Sequence, residues 1–212
     1  MLALMLPIGV TAGLRAKRAS ADTMEMSMPP AGSAKVVNAD AMIRDLWTDH
    51  IFWVRNVVVA TLAKNGAAEK SAEGQVVANA HAIADGIKPF YGDAGTDGLF
   101  KLLAGHYGAI KAYLTATVKG SKSAQDKAMG DLMDNAEQIA VFLSGANPNL
   151  PKDTVLELFQ AHGGHHITQI QELKAKRYDE EAKNWADMRA HMNVIADALT
   201  GAIAKQFPDK FL

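Results

Sequence analysis

The chain has 212 residues, 22 basic and 23 acidic, for a formal charge of −1, and 49% of it is hydrophobic against 21% charged. That is ample apolar material for a core, and far too apolar for a disordered chain. Near-neutral charge removes the electrostatic footprint of a nucleic-acid binder, and the absence of cysteine excludes disulfide scaffolds, cysteine-ligated zinc, iron–sulfur clusters, thiol catalysis and covalent haem.

The first element is an apolar run from Met1 to Leu14, broken only by Pro7, Gly9, Thr11 and Gly13. It is too short for a stable membrane span of about 18 to 20 residues, and it has the length of a signal-peptide hydrophobic region. Ala19-Ser20-Ala21 supplies the small residues an export peptidase needs, so residues 1–21 read as a signal peptide and the protein as exported, periplasmic or extracellular. Arg15, Lys17 and Arg18 follow the run instead of preceding it, which keeps a short anchor as the alternative. Residues 22–38 then read as a flexible tether, in which Met24, Met26 and Met28 alternate with other residues before Pro29-Pro30. Those thioethers are also soft ligands of the kind that hold Cu(I).

From residue 39 to 212 apolar residues recur at spacings of three and four, and no alternating strand pattern persists. Breaks at Lys64-Asn65-Gly66, Tyr91-Gly92-Asp93, Lys119-Gly120-Ser121, Ala146-Asn147-Pro148-Asn149 and Lys176-Arg177-Tyr178 divide this single domain into six helices, over roughly 39–64, 68–91, 95–119, 122–145, 152–176 and 179–206. Sliding the chain by 56 residues aligns it with itself three times without a gap. Leu46, Leu102 and Leu158 coincide, as do Trp47, Leu103 and Phe159, and Ile83, Ile139 and Ile195. His50, His106 and His162 share one column, opposite a column of Asn79, Asn135 and His191. The expected fold is therefore all-α, a six-helix bundle of three αα-hairpin repeats at about 41–96, 97–152 and 153–208.

The two polar columns lie on apolar stripes, so each member needs a partner. Counting from the turns brings each histidine level with the companion residue of its own hairpin, which predicts the pairs His50–Asn79 and His106–Asn135. The third hairpin differs. His162 and His166 are four apart on one helix, Asp187 and His191 four apart on the next, and the same count puts these four potential ligands level between antiparallel helices. Three imidazoles and a carboxylate suit a divalent transition metal, Zn²⁺, Cu²⁺ or Ni²⁺. Gly163 and Gly164 sit in mid-helix, where close approach of another helix or a local kink would account for them.

Other chemistries find less support. The Glu-x-x-His pairs of a di-iron bundle and the glycine-rich loops of nucleotide binders are absent, while haem held between two histidines of the bundle stays open. Trp47, His50, Trp53, Arg55 and His106 offer a second candidate site, a pocket for an anionic or aromatic small molecule with a histidine as general base.

The segments Leu46-Trp47-Thr48-Asp49-His50-Ile51-Phe52-Trp53-Val54-Arg55, Lys88-Pro89-Phe90-Tyr91-Gly92, Asn135 to Ser144 and Lys205-Gln206-Phe207-Pro208-Asp209-Lys210-Phe211 resemble a group of uncharacterised bacterial helical-bundle proteins. Some of that group carry the name acetylglutamate kinase, for which this sequence has no nucleotide-binding loop. The group's pattern matches Trp47, His50, Trp53, Arg55, Asn79, His106, Asn135 and His162. The resemblance implies a helical fold and no particular activity. It places Leu and Thr where this chain has His165 and His166, and no regular histidine at position 191, so the third-hairpin ligand set would be special to this chain.

Two functions remain: an exported, non-catalytic metal-binding or metal-handling protein, and a small-molecule binder or enzyme. A purely structural bundle with buried His–Asn pairs is the third reading. Assembly of the hairpins bears on all of them. Stacked as a solenoid, they hold His50, His106 and His162 about 10 Å apart per layer. Closed about an axis, they give a His₃ site with an open fourth position, suited to metal-activated water. The asparagine partners favour separation.

Overall fold

The computed structural model describes residues 34–212. The expected signal peptide and the methionine-rich stretch lie outside the described residues. Six helices follow one another: α1 (Ala34–Leu62), α2 (Gly66–Gly86), α3 (Lys88–Lys119), α4 (Lys122–Ala146), α5 (Lys152–Lys174) and α6 (Tyr178–Gln206), closed by a 3₁₀ turn at Pro208–Phe211. No strand occurs among the described residues, and none of their helices is long and apolar enough to cross a membrane.

Two boundaries differ from expectation. Helix α1 begins at Ala34, within the segment read as tether, because Val36 packs with Ile203 and Phe211 and gives this end an apolar contact. The break expected at Gly92 is instead a kink inside α3, where Gly92 takes φ 67° and ψ −171°. The α2–α3 connection comes earlier, at Ile87, because Pro89 suits the first turn of a helix.

Within each hairpin the turn is built alike. Lys64, Gly120 and Lys176 hold the left-handed conformation, at φ 56°, 68° and 60°. The next amide reaches back over the helix end in each: Asn65 N–H donates to Ala60 C=O, Ser121 to Ala116 and Arg177 to Glu172. This is the capping that ends a helix cleanly and reverses the chain. A second recurrent bond joins the two helices of each pair. Asn79 Nδ2 donates to Leu46 C=O at 2.9 Å, Asn135 Nδ2 to Leu102 C=O at 3.0 Å and His191 Nε2 to Leu158 C=O at 2.8 Å.

The three hairpins close into a ring. Each helix packs on the next, α6 returns to pack on α1, and α5 reaches across the inside to touch both α1 and α3. The separated arrangement favoured on sequence grounds is thus corrected. An apolar stripe wide enough to bury the odd-numbered helices serves a solenoid layer and a closed ring equally, and the contacts of α5 and α6 with α1 distinguish them. Ring closure brings Trp47, Leu103 and Phe159 into one apolar cluster with Ile83, Ile139 and Ile195. A second cluster, holding Val54, Val57, Val58, Ile110, Tyr113, Leu114, Ile167 and Ile170, fills the other half. Between positions 47 and 54 of α1, and at the corresponding turns of α3 and α5, lies the layer of histidines.

Candidate metal centre

Helices α1, α3 and α5 each send side chains to the axis at spacings of three and four. On α1 the buried set includes Trp47, His50, Ile51, Val54 and Val57; on α3, Leu103, His106 and Ile110; on α5, Phe159, His162, His166 and Ile170. His50, His106, His162 and His166 therefore meet, and one ring nitrogen from each lies within 4.8 Å of those of the other three. Their exposures are 2%, 1%, 0% and 1%, so solvent satisfies none of them. Ring centroids are 4.5 Å apart for His162–His166, 5.3 Å for His106–His162 and 5.6 Å for His50–His162. Trp47 sets its ring edge-on to His50 and His162, at 5.8 and 6.5 Å.

The hydrogen-bond inventory of this layer is nearly empty. Both nitrogens of His50, His162 and His166, and Nε2 of His106, are buried without a partner. Only His106 Nδ1 is engaged, 3.2 Å from Asn135 Oδ1. Because Asn135 Nδ2 already donates to Leu102 C=O, its Oδ1 must accept, so His106 carries its proton on Nδ1 and keeps the Nε2 lone pair free. An outer partner that fixes the tautomer is the usual support of a metal-binding imidazole. Burial drives the pKa of His50 down to about 3, helped by the neighbouring His106, and that of His106 to about 4. His162 and His166 are likewise held well below the ordinary histidine range by burial and by neighbouring histidines, His166 and His106 for the first, His50 and His106 for the second. All four rings are neutral at physiological pH, the state that donates a lone pair.

Only part of each predicted site is assembled. His106–Asn135 forms as expected, but His50–Asn79 does not: the Asn79 amide is held by Leu46 C=O, and the His50 ring lies among the other imidazoles. His162 and His166 enter the cluster, whereas Asp187 and His191 stay outside it. Helix α6 turns Met188 and Met192 fully inward, which leaves Asp187 exposed, and His191 gives its Nε2 proton to Leu158 C=O. Distance from the turn sets height along a hairpin, whereas rotation about the α6 axis decides which of its residues face the histidines, and the count does not contain that rotation. The second site is dispersed too. His50 and His106 join the buried histidine cluster, Trp53 packs against Phe52, and Arg55 forms an ion pair with Glu181 and lies over the Trp185 ring. An apolar pocket does lie beside Trp47, but Leu46, Ile83, Leu99, Phe142 and Leu199 line it with no histidine among them.

The sequence signal for the fourth ligand is column arithmetic. His166 falls in the column of Val54 and Ile110, which are core residues in the other two hairpins. A histidine at an apolar core column is a buried polar group, and its neighbours are fixed once the axial arrangement is known. The glycines divide. A side chain on Gly163 would meet Leu132 Cδ2 at 3.1 Å, so α4 approaches closely there, while Gly164 faces open space. The chain matches no family model, no curated protein and no solved structure.

Proposed function

We propose that this protein binds one divalent transition-metal ion, of the Zn, Cu or Ni class, on His50, His106, His162 and His166. The observation that carries the reading is the set of buried, unpartnered imidazole nitrogens converging from three helices. Each such nitrogen costs roughly 1 to 3 kcal/mol while unpaired, so a core without purpose would fill the layer with aliphatic side chains. Four nitrogens on a metal at about 2.0 to 2.1 Å are about 3.3 Å apart in a tetrahedron and about 4 Å across a square. The observed spread of up to 4.8 Å needs only small side-chain rotations to reach either.

Metal binding or handling without catalysis fits the surroundings better than hydrolysis. His166 supplies a fourth imidazole where a hydrolytic His₃ site keeps an open position, and the described pocket does not include the histidines. Export is supported by the apolar run Met1–Leu14 and Ala19-Ser20-Ala21, and would put the protein where it meets metal arriving from outside. Isothermal titration of metal-free protein with Zn²⁺, Cu²⁺ and Ni²⁺ tests the proposal. One equivalent should bind with micromolar or tighter affinity for at least one ion, and His50→Ala with His106→Ala should abolish it. Unaltered binding in that double variant would refute the site.

A further inference from the structure

Resting on that reading, we propose that His165 and His191 form a transit site that hands metal between solvent and the buried centre. These two histidines lie half-buried at the α5–α6 seam, with ring centroids 5.6 Å apart. Each is fixed in one tautomer. Asn184 Nδ2 donates to the His165 carbonyl, so Asn184 Oδ1 accepts from His165 Nδ1, at 2.8 Å, and His165 Nε2 keeps its lone pair. Leu158 C=O can only accept, so His191 Nε2 carries the proton and Nδ1 keeps the lone pair. Two oriented imidazoles, each with its second nitrogen held by an amide or carbonyl, are what a metal-ligating pair requires.

The position of the pair completes the argument. His165 adjoins His166 in the chain, and His191 holds the column in which Asn135 contacts His106, the counterpart of His162. On the outer side, Asp187 lies four residues before His191 on the same face of α6 and is exposed. A carboxylate at the surface, two half-buried imidazoles and two fully buried ones thus succeed one another from solvent to axis. A dehydrated cation moving inward keeps a ligand at each step. The buried four alone offer no such approach, since each is at most 2% exposed.

The test separates rate from affinity. His191→Asn restores the residue found at Asn79 and Asn135 and so can keep the clasp on Leu158, and it is combined with His165→Gln. Loading is followed with Co²⁺, whose visible absorption reports tetrahedral imidazole coordination, and unloading with excess chelator. The double variant should bind one Co²⁺ with affinity within threefold of the parent, while loading and unloading both slow at least tenfold. Equal slowing is the mark of a transit site, because a group that only lowers the barrier cannot shift the equilibrium. Unchanged rates would overturn the proposal, and so would a loss of affinity that accounts for the slower loading. Parent protein that binds neither Co²⁺ nor any of Zn²⁺, Cu²⁺ and Ni²⁺ overturns the buried centre as well, and where Co²⁺ alone fails the loading is followed with the ion that binds. Parent protein that loses Co²⁺ with His50→Ala and His106→Ala, while the His165/His191 variant loads at the parent rate, overturns the transit site alone.

Discussion

His166 is where function and stability oppose each other most directly. Its column holds Val54 and Ile110 in the first two hairpins, and its own two nitrogens are buried without partners. His166→Ile should therefore stabilise the metal-free protein by about 1 to 3 kcal/mol, read as a rise in the denaturation midpoint with chelator present, while weakening metal binding at least tenfold. The same burial sets an acid limit. The four histidines stay neutral in the folded protein down to about pH 3 or 4 for His50 and His106, and lower than usual for His162 and His166, whereas in the unfolded chain they protonate near 6.5. Below pH 6.5 the unfolded state binds more protons, so stability is complete above that pH and declines as pH falls towards the folded pKa values. The slope approaches about 1.4 kcal/mol per pH unit for each histidine kept neutral. Thermal midpoints measured with chelator from pH 7.5 to 4.5 should show the decline, and a flat profile would contradict the burial. His166→Ile should make it shallower.

At the scale of the helix and the turn, the hairpins can be compared with one another. Lys64 and Lys176 adopt the left-handed conformation that Gly120 adopts without steric cost. Lys64→Gly and Lys176→Gly should each stabilise by up to about 1 kcal/mol, and Gly120→Lys should destabilise by a similar amount, in chemical denaturation. Helix α5 gives an internal contrast: Gly164→Ala gains helix propensity of about 1 kcal/mol in open space, whereas Gly163→Ala must push against Leu132. These elements were legible in the sequence. The Lys-Asn-Gly, Lys-Gly-Ser and Lys-Arg-Tyr breaks mark the hairpin turns because left-handed caps have a local signature, and the apolar period marks the helices between them. The start of α1 and the position of the α2–α3 connection were not legible, since a distant contact of Val36 and the kink at Gly92 decide them. For the site, the histidine column and His166 were visible as residues, but which helix faces meet depends on the ring, and no local pattern states that α6 returns to α1.

In the whole molecule that return is held by side chains, because no short turn connects α1 to α6. Arg55 Nε and Nη2 grip Glu181 at 2.7 and 2.9 Å, and Gln169 Nε2 adds a third bond to the same carboxylate at 3.0 Å. Arg44 does the same for Asp197 at a more exposed place. Glu181 is almost wholly buried, and Arg55 holds its carboxyl below the usual range. Arg55→Ala would leave that charge without its cation and should cost about 2 to 3 kcal/mol, against under about 1 kcal/mol for Arg44→Ala, compared by urea denaturation. Equal effects would mean that the α1–α6 seam does not depend on the buried pair.

Three of the four imidazoles are separated along the chain by whole hairpins, and this governs what the unfolded polypeptide can do with a metal ion. To gather His50, His106 and His162 it must close two long loops, each at an entropic cost of roughly 4 kcal/mol on the scale used for cross-links of that length. Without the fold, only His162, His165 and His166 remain near neighbours, a weak local chelate. An ion bound as proposed would therefore discriminate strongly between the two states, and nearly all of its binding energy would appear as resistance to unfolding. Newly made chain would hold metal poorly until its last helix had docked, and occupancy of the proposed centre would then be a record that all three hairpins have found one another.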